Sequence, residues 1–135
     1  STRLITSMDP RFRVLNFGPS LDQAIEAADL VLTTASTSSL EVIAREIPTG
    51  IVCAANNQIS NYETLGNLGA AATIGIYSKF GLWELDLQTV EKLLVSYSYR
   101  SSLITGAANL VDLHGSRRIV DAIIACSSEI EEVST

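Results

Sequence analysis

Three short apolar runs constrain this chain more than anything else in it: residues 30–34 (LVLTT), 50–54 (GIVCA) and 72–76 (ATIGI). Each is nearly continuous rather than alternating, as expected of a strand covered on both faces. Between the runs the apolar spacing changes to that of a helix. Leu40, Ile43, Ala44 and Ile47 fall on one face before Pro48 stops the segment, and residues 60–68 read as a further helix closed by Gly69. Upstream, Leu21, Ala24, Ile25 and Ala28 mark another helix, preceded by a short strand over residues 13–17 (RVLNF) and a turn at Gly18-Pro19. Strands alternating with helices through short links predict an α/β fold. The expected form is a three-layer, Rossmann-like, doubly wound parallel sheet.

After Ile76 the rhythm breaks. Residues 77–85 read as a loop, Asp86 as the cap of a helix reaching about Ser96, and residues 99–109 as a second helix. Ser116, just past Gly115, is expected to cap a third helix through Ala125. The acidic residues from Ser127 onward are expected to fray. The organisation is therefore one domain over residues 1–126, closed by C-terminal helices, and an acidic tail over 127–135. Residues 1–10 read as the tail of a preceding helix, and Ser1 in place of Met is expected to mark either a start inside a longer chain or a trimmed one. The sheet edge near residues 14–17 would then invite the missing segment or a homodimer.

Charge and composition exclude several functions. Nine basic against fifteen acidic residues leave a net charge of −6, which argues against a nucleic-acid groove. No apolar run approaches the roughly 18 residues of a membrane span, and no signal peptide opens the chain. Cys53 and Cys126 lie far apart, with no CxxC partner, and read as reduced thiols of a cytoplasmic protein. With a single histidine, His114, and no Cys/His cluster, no transition-metal site is expected, and no residue pattern calls for a cofactor.

In open parallel sheets ligands gather at the carboxyl ends of the strands, so the two loops to examine are 35–38 and 55–60. The first sits in the run TTASTSSLE, where small residues would let a ligand approach the N–H groups of the next helix. Ser36, Thr37, Ser38 and Ser39 would then cradle a diphosphate, and Glu41 would accept ribose hydroxyls. A second reading fits the same residues. Ser38 to Glu41 is a capping box, and Ser20–Gln23 and Ser60–Glu63 repeat it. Spacing leaves both open.

The stretch ADLVLTTASTSSLEVIAREIPTGIVCAANNQISNYETLGNLGAA resembles the nucleotide-binding segment of the GT-B glycosyltransferase superfamily. The likeness is greatest to the pseudaminic-acid-pathway UDP-sugar hydrolases and the spore-coat polysaccharide biosynthesis proteins. It rests on Ala28-Asp29 before the strand, the small turn 35–39, Glu41, Ile47-Pro48, Asn57-Gln58, and Leu65 with Gly69-Ala70-Ala71. A closing element, VDLHGSRRIVDAI, adds Asp112, Gly115 and Arg118.

The resemblance implies the UDP-sugar-binding half of a polysaccharide-biosynthesis glycosyltransferase or nucleotide-sugar hydrolase. Ala35, Ser36, Thr37, Ser38 and Ser39 would bind the diphosphate, Glu41 the ribose, and Asn57 and Gln58 the phosphates or sugar. The general base would come from the missing N-terminal half, and no catalytic residue is expected in this chain. Two departures stand out: Ser36 occupies the usual glycine position, and DLHG replaces the usual DG. They motivate an alternative, a degenerate domain that binds no nucleotide and serves assembly or partner recognition. Another doubly wound enzyme fits less well, because no G-x-G-x-x-G follows a strand. The remaining candidates have structural readings: His114 as a surface histidine, Arg118 as the partner of an acid, and Phe80 and Trp83 as packing under a loop rather than stacking on a base.

Overall fold

The computed structural model describes residues 8–16 and 18–134. Helix α1 spans Pro19–Glu26. Gly18 stands before it at φ 138°, which glycine adopts readily, and Pro19 takes the first helical position, where its missing N–H removes no helical bond. Ser20 therefore lies inside the helix rather than at its cap, and the box expected over residues 20–23 does not open it. Residues 12–16 have no regular structure, and Phe17 lies outside the described residues, as do residues 1–7 and the helix tail expected there.

Four strands follow: β1 (Val31–Thr34), β2 (Thr49–Cys53), β3 (Ala72–Tyr77) and β4 (Trp83–Leu85), in that spatial order. β1, β2 and β3 are parallel, with Val31 opposite Thr49 and Gly50 opposite Ala72. Among the described residues the edge is thus β1, not the expected 13–17 segment. β4 is antiparallel to β3, so the sheet is mixed. The loop expected over 77–85 is a hairpin. The Leu82 carbonyl accepts from the Ser78 N–H at 2.7 Å, and Gly81 turns the chain at φ 78°. Gly75 lets the strands meet, since a Cβ there would lie 2.6 Å from Leu85 Cδ2. Tyr77 and Trp83 then pair across the ladder, with ring centroids 5.2 Å apart.

Helices α2 (Thr37–Ala44), α3 (Ile59–Asn67), α4 (Leu87–Val95), α5 (Tyr97–Ala107) and α6 (Gly115–Ser134) complete the fold, with a 3₁₀ turn at Asn56–Gln58. One apolar cluster joins Ala35, Ile43, Ile51, Leu65, Ala70 and Ala71, drawing α2 and α3 onto the sheet. A second joins Ala72, Ile74, Leu93 and Leu103, which does the same for α4 and α5. Ile51 and Leu93 are fully buried, and each such side chain contributes about 1.5–3 kcal/mol.

α2 stops at Ala44, earlier than its apolar spacing suggests, because Glu46 turns left-handed at φ 59°. The expected glycine at the end of α3 is present: Gly69 has φ 65°, its N–H bonds Gly66, and Ala70 N–H reaches back to Leu65 at 3.0 Å. α5 closes on that turn so tightly that a Cβ on Gly106 would lie 2.1 Å from the Gly69 oxygen. α6 runs on to Ser134, where fraying from Ser127 was expected.

Candidate functional site

The β1–α2 turn is built by Ala35, Ser36 and Ser39. Ala35 is buried, its N–H donates to the Val52 carbonyl at 2.8 Å, and its own carbonyl accepts from Asn61 Nδ2 at 3.0 Å. Ser39 is completely buried, and its hydroxyl donates to the Ser36 carbonyl at 2.6 Å. These contacts make Ser36, not Ser38, the N-cap. The Ser36 hydroxyl lies 3.0 Å from that of Thr34 and caps nothing.

Helix geometry leaves the N–H groups of Thr37 and Ser38 without an intrahelical acceptor, and both residues are exposed. The turn needs no glycine: Ser36 has φ −100° and ψ −174°, extended backbone that any residue adopts.

Glu41 does not reach back to the helix start, so the expected capping box is absent here too. Its carboxylate instead takes a hydrogen bond from Arg45 Nη2 at 3.2 Å, one turn on. Arg45 also approaches Glu26 at 3.4 Å and Asp22 at 3.6 Å, so one guanidinium serves three carboxylates. The Glu41 side chain stays 62% exposed, a position in which an ion pair holds it only weakly.

Thr37, Ser38 and Glu41 line a cleft of about 350 Å³ whose opposite wall is the segment before α6, with Asp112, Leu113, Gly115 and Ser116. Asp112 organises that wall. It accepts from the His114 N–H at 2.8 Å and from Arg118 at 2.8 Å. The His114 bond first, then Arg118, hold its carboxyl below the usual aspartate range. Arg118 is thus the partner of an acid, as expected, and His114 is exposed. The cleft therefore sits between the first turns of α2 and α6, where two helix dipoles present their positive ends.

The other loop contributes less. Gln58 Oε1 accepts from the Ala54 N–H at 2.9 Å, closing its own turn, while Asn57 is exposed. Neither lines the cleft with Thr37, Ser38 and Glu41. Ser60 lies within α3, behind the Asn56–Gln58 turn, and does not cap it. Trp83 packs on Tyr77, and Phe80 is exposed beside Lys79; neither ring faces the cleft.

Sequence reasoning passed over Asn61, which ties the start of α3 to the β1–α2 turn. Its signal is a polar residue four positions before buried Leu65, on the face of α3 turned to the core. Among the described residues no three His, Cys, Asp or Glu side chains gather as a metal ion would require, and no helix is long and apolar enough to cross a membrane. Cys53 is buried and Cys126 exposed, both as free thiols.

No known protein family, curated protein or solved structure matches this chain.

Proposed function

We propose that this domain is the UDP-sugar-binding half of a polysaccharide-biosynthesis glycosyltransferase or nucleotide-sugar hydrolase, built as a Rossmann-like GT-B C-terminal half. The observation that carries the reading is the cleft itself. The first turns of α2 and α6 open onto one space, and a carboxylate stands on its rim. Two helix starts favour an anion there with no lysine or arginine among the lining residues, and with Arg118 taken up by Asp112, which suits a chain with net charge −6.

In this reading the N–H groups of Thr37 and Ser38 bind the diphosphate, Ser36 and buried Ala35 and Ser39 hold the turn in shape, and Glu41 accepts the ribose hydroxyls. Asn57 and Gln58 do not line the cleft, and their part, contact with the phosphates or the sugar, rests on the resemblance alone. The choice of uridine rests on the resemblance of residues 28–71 to UDP-sugar enzymes. The domain's part in the reaction is positional and electrostatic: it stabilises charge developing on the leaving diphosphate. In this reading the sugar, the acceptor and the general base belong to the other half of a GT-B pair. Two free thiols suit a cytoplasmic setting.

A calorimetric titration of UDP, with ADP and GDP alongside, tests this. Saturable binding that prefers UDP supports it; equal binding of all three, or none at millimolar concentration, removes it.

A second reading, assembly without nucleotide, is favoured by a different observation, the exposed apolar side chains of α6.

A further inference from the structure

The cleft at the start of α2 adjoins a second cavity, of about 490 Å³, and Ala44, Val111 and Asp112 line both. Along α2, Thr37, Glu41 and Ala44 fall at i, i+4 and i+7, on one face of the helix. Thr37 and Ala44 are therefore about 10 Å apart along its axis. One extended ligand has room to follow that face from the cleft into the cavity.

The two spaces have opposite electrostatic character. The cleft lies between the first turns of α2 and α6, which offer N–H groups. The cavity lies between the last turns of α2, at Ile43 and Ala44, and of α5, at Ile104 and Ala107. Helix geometry leaves carbonyls there without an intrahelical donor. An anion belongs in the first space, and a group carrying N–H donors belongs in the second. Arg118 is the one cation on the cavity wall, and Asp112 holds it at 2.8 Å.

The way these two helices stop is a second observation. A left-handed residue follows each, and glycine takes that place with least strain, as Gly69 does after α3. After α2 the residue is Glu46 at φ 59°, and after α5 it is Asn109 at φ 65°. They are the two non-glycine residues of positive φ among the described residues, and both line this cavity. Neither side chain has a hydrogen-bond or ion-pair partner among the described residues. Two polar side chains thus stand, at a cost in strain, where glycine would turn the chain, and their groups are open to a ligand.

We propose that this cavity is the subsite for the base of the nucleotide whose diphosphate lies at the start of α2. The proposal rests on the nucleotide reading of the cleft, in which Glu41 takes the ribose. With the diphosphate at Thr37 and the ribose at Glu41, the base falls on the Ala44 side. Half-buried Ala44, Ala107 and Val111 present apolar surface to its ring. The Asn109 amide offers a donor and an acceptor side by side, the complement of the O4 and N3–H edge of uracil.

Calorimetry with UDP and with inorganic pyrophosphate tests it, since pyrophosphate fills the phosphate site alone. Wild type should bind UDP more tightly than pyrophosphate. Asn109→Gly removes the amide and relaxes the turn; UDP affinity should fall about tenfold while pyrophosphate affinity holds. Ala108→Trp, at an exposed position on the cavity wall, should weaken UDP at least as much and again spare pyrophosphate. Melting temperatures near that of wild type show that both variants fold. If UDP binds wild type and both variants keep its ratio of UDP to pyrophosphate affinity, the subsite is overturned while the nucleotide reading stands. Equal losses of both ligands would place the damage at the α2 start and overturn the subsite as well. A wild type that binds no UDP removes the nucleotide reading and the subsite together.

Discussion

The helices of this domain begin in two different ways. α4 and α5 are closed by side chains: Asp86 accepts from the Thr89 N–H at 3.0 Å, and Ser96 accepts from the Tyr99 N–H at 3.2 Å. α2, which follows β1, and α3, which follows β2 through the Asn56–Gln58 turn, have no side-chain cap at all. The difference is not a lack of suitable residues, since α2 is preceded by Thr34 and Ser36 and opens with Thr37, Ser38 and Ser39. The Ser36 and Ser39 hydroxyls are turned to Thr34 and to the Ser36 carbonyl instead, and the first N–H groups of α2 face the cleft. Side chains finish the starts of α4 and α5. The start of α2 lines the cleft and its first donors are left open, whereas α1 and α3 open without a side-chain cap and line no part of it.

The strongest way to break this contrast is Thr37→Pro. Proline at the first helical position keeps the helix, and the extended Ser36 before it is compatible with proline. The N–H is lost together with the Thr37 hydroxyl, and Thr37→Ala, which keeps the N–H, is the control for the side chain. UDP affinity should fall by about 2 kcal/mol, roughly thirtyfold, with the melting temperature held. Unchanged affinity would show that this donor meets no phosphate.

Glu41→Gln is next. Glu41 caps nothing, so folding should be unaffected. A neutral amide accepts ribose hydroxyls less well, and affinity should drop on the order of tenfold, ~1.4 kcal/mol, by calorimetry. Glu63→Gln on α3 is the matched control and should bind as wild type does.

A third pair compares the caps themselves by chemical denaturation. Ser96→Ala should cost about 1 kcal/mol of stability, whereas Ser36→Ala should cost less than about 0.5 kcal/mol, because its hydroxyl caps nothing. Equal losses would erase the distinction between the two kinds of start.

Acid gives the smallest effect. Hydrogen bonds from the Thr89 side chain, then its backbone, hold the Asp86 carboxyl below its ordinary value. A carboxyl depressed in the folded state adds stability at neutral pH, and that stability is lost as the pH falls through the depressed value. The first turn of α4 should therefore loosen below the usual carboxylate range, seen as faster exchange of the Thr89 amide. Ser39, which opens α2 through a hydroxyl and a carbonyl, should show no such step.

Much of this architecture was legible because it is local. Continuous apolar runs marked β1, β2 and β3. Gly69 and Asp86 announced a helix end and a helix start through their own chemistry. Features that depend on distant partners were not legible. β4 is three exposed residues whose pairing depends on Gly75 lacking a side chain, and nothing within 83–85 reports that. Four consecutive hydroxyl residues, Ser36 to Ser39, could each have capped α2; the choice of Ser36 was made by the burial of Ser39 and the reach of Asn61 from α3.

The candidate site divides in the same way. Thr37, Ser38 and Glu41 came from the turn after β1. The opposite wall, with Leu113 and Ser116, is brought in from more than 70 residues away by the fold alone. The length of α6 was hidden by its acidic end, although its apolar residues Ile119, Ile123, Cys126, Ile130 and Val133 continue through it at alternating steps of four and three.

The most direct test is to follow backbone amide resonances while UDP is added. The largest shifts should fall on Thr37, Ser38, Gly115 and Ser116, on the two walls of one cleft, while the capped amides of Thr89 and Tyr99 stay in place. Shifts confined to other residues, or none at saturating nucleotide, would contradict the assignment of the α2 start as a phosphate site.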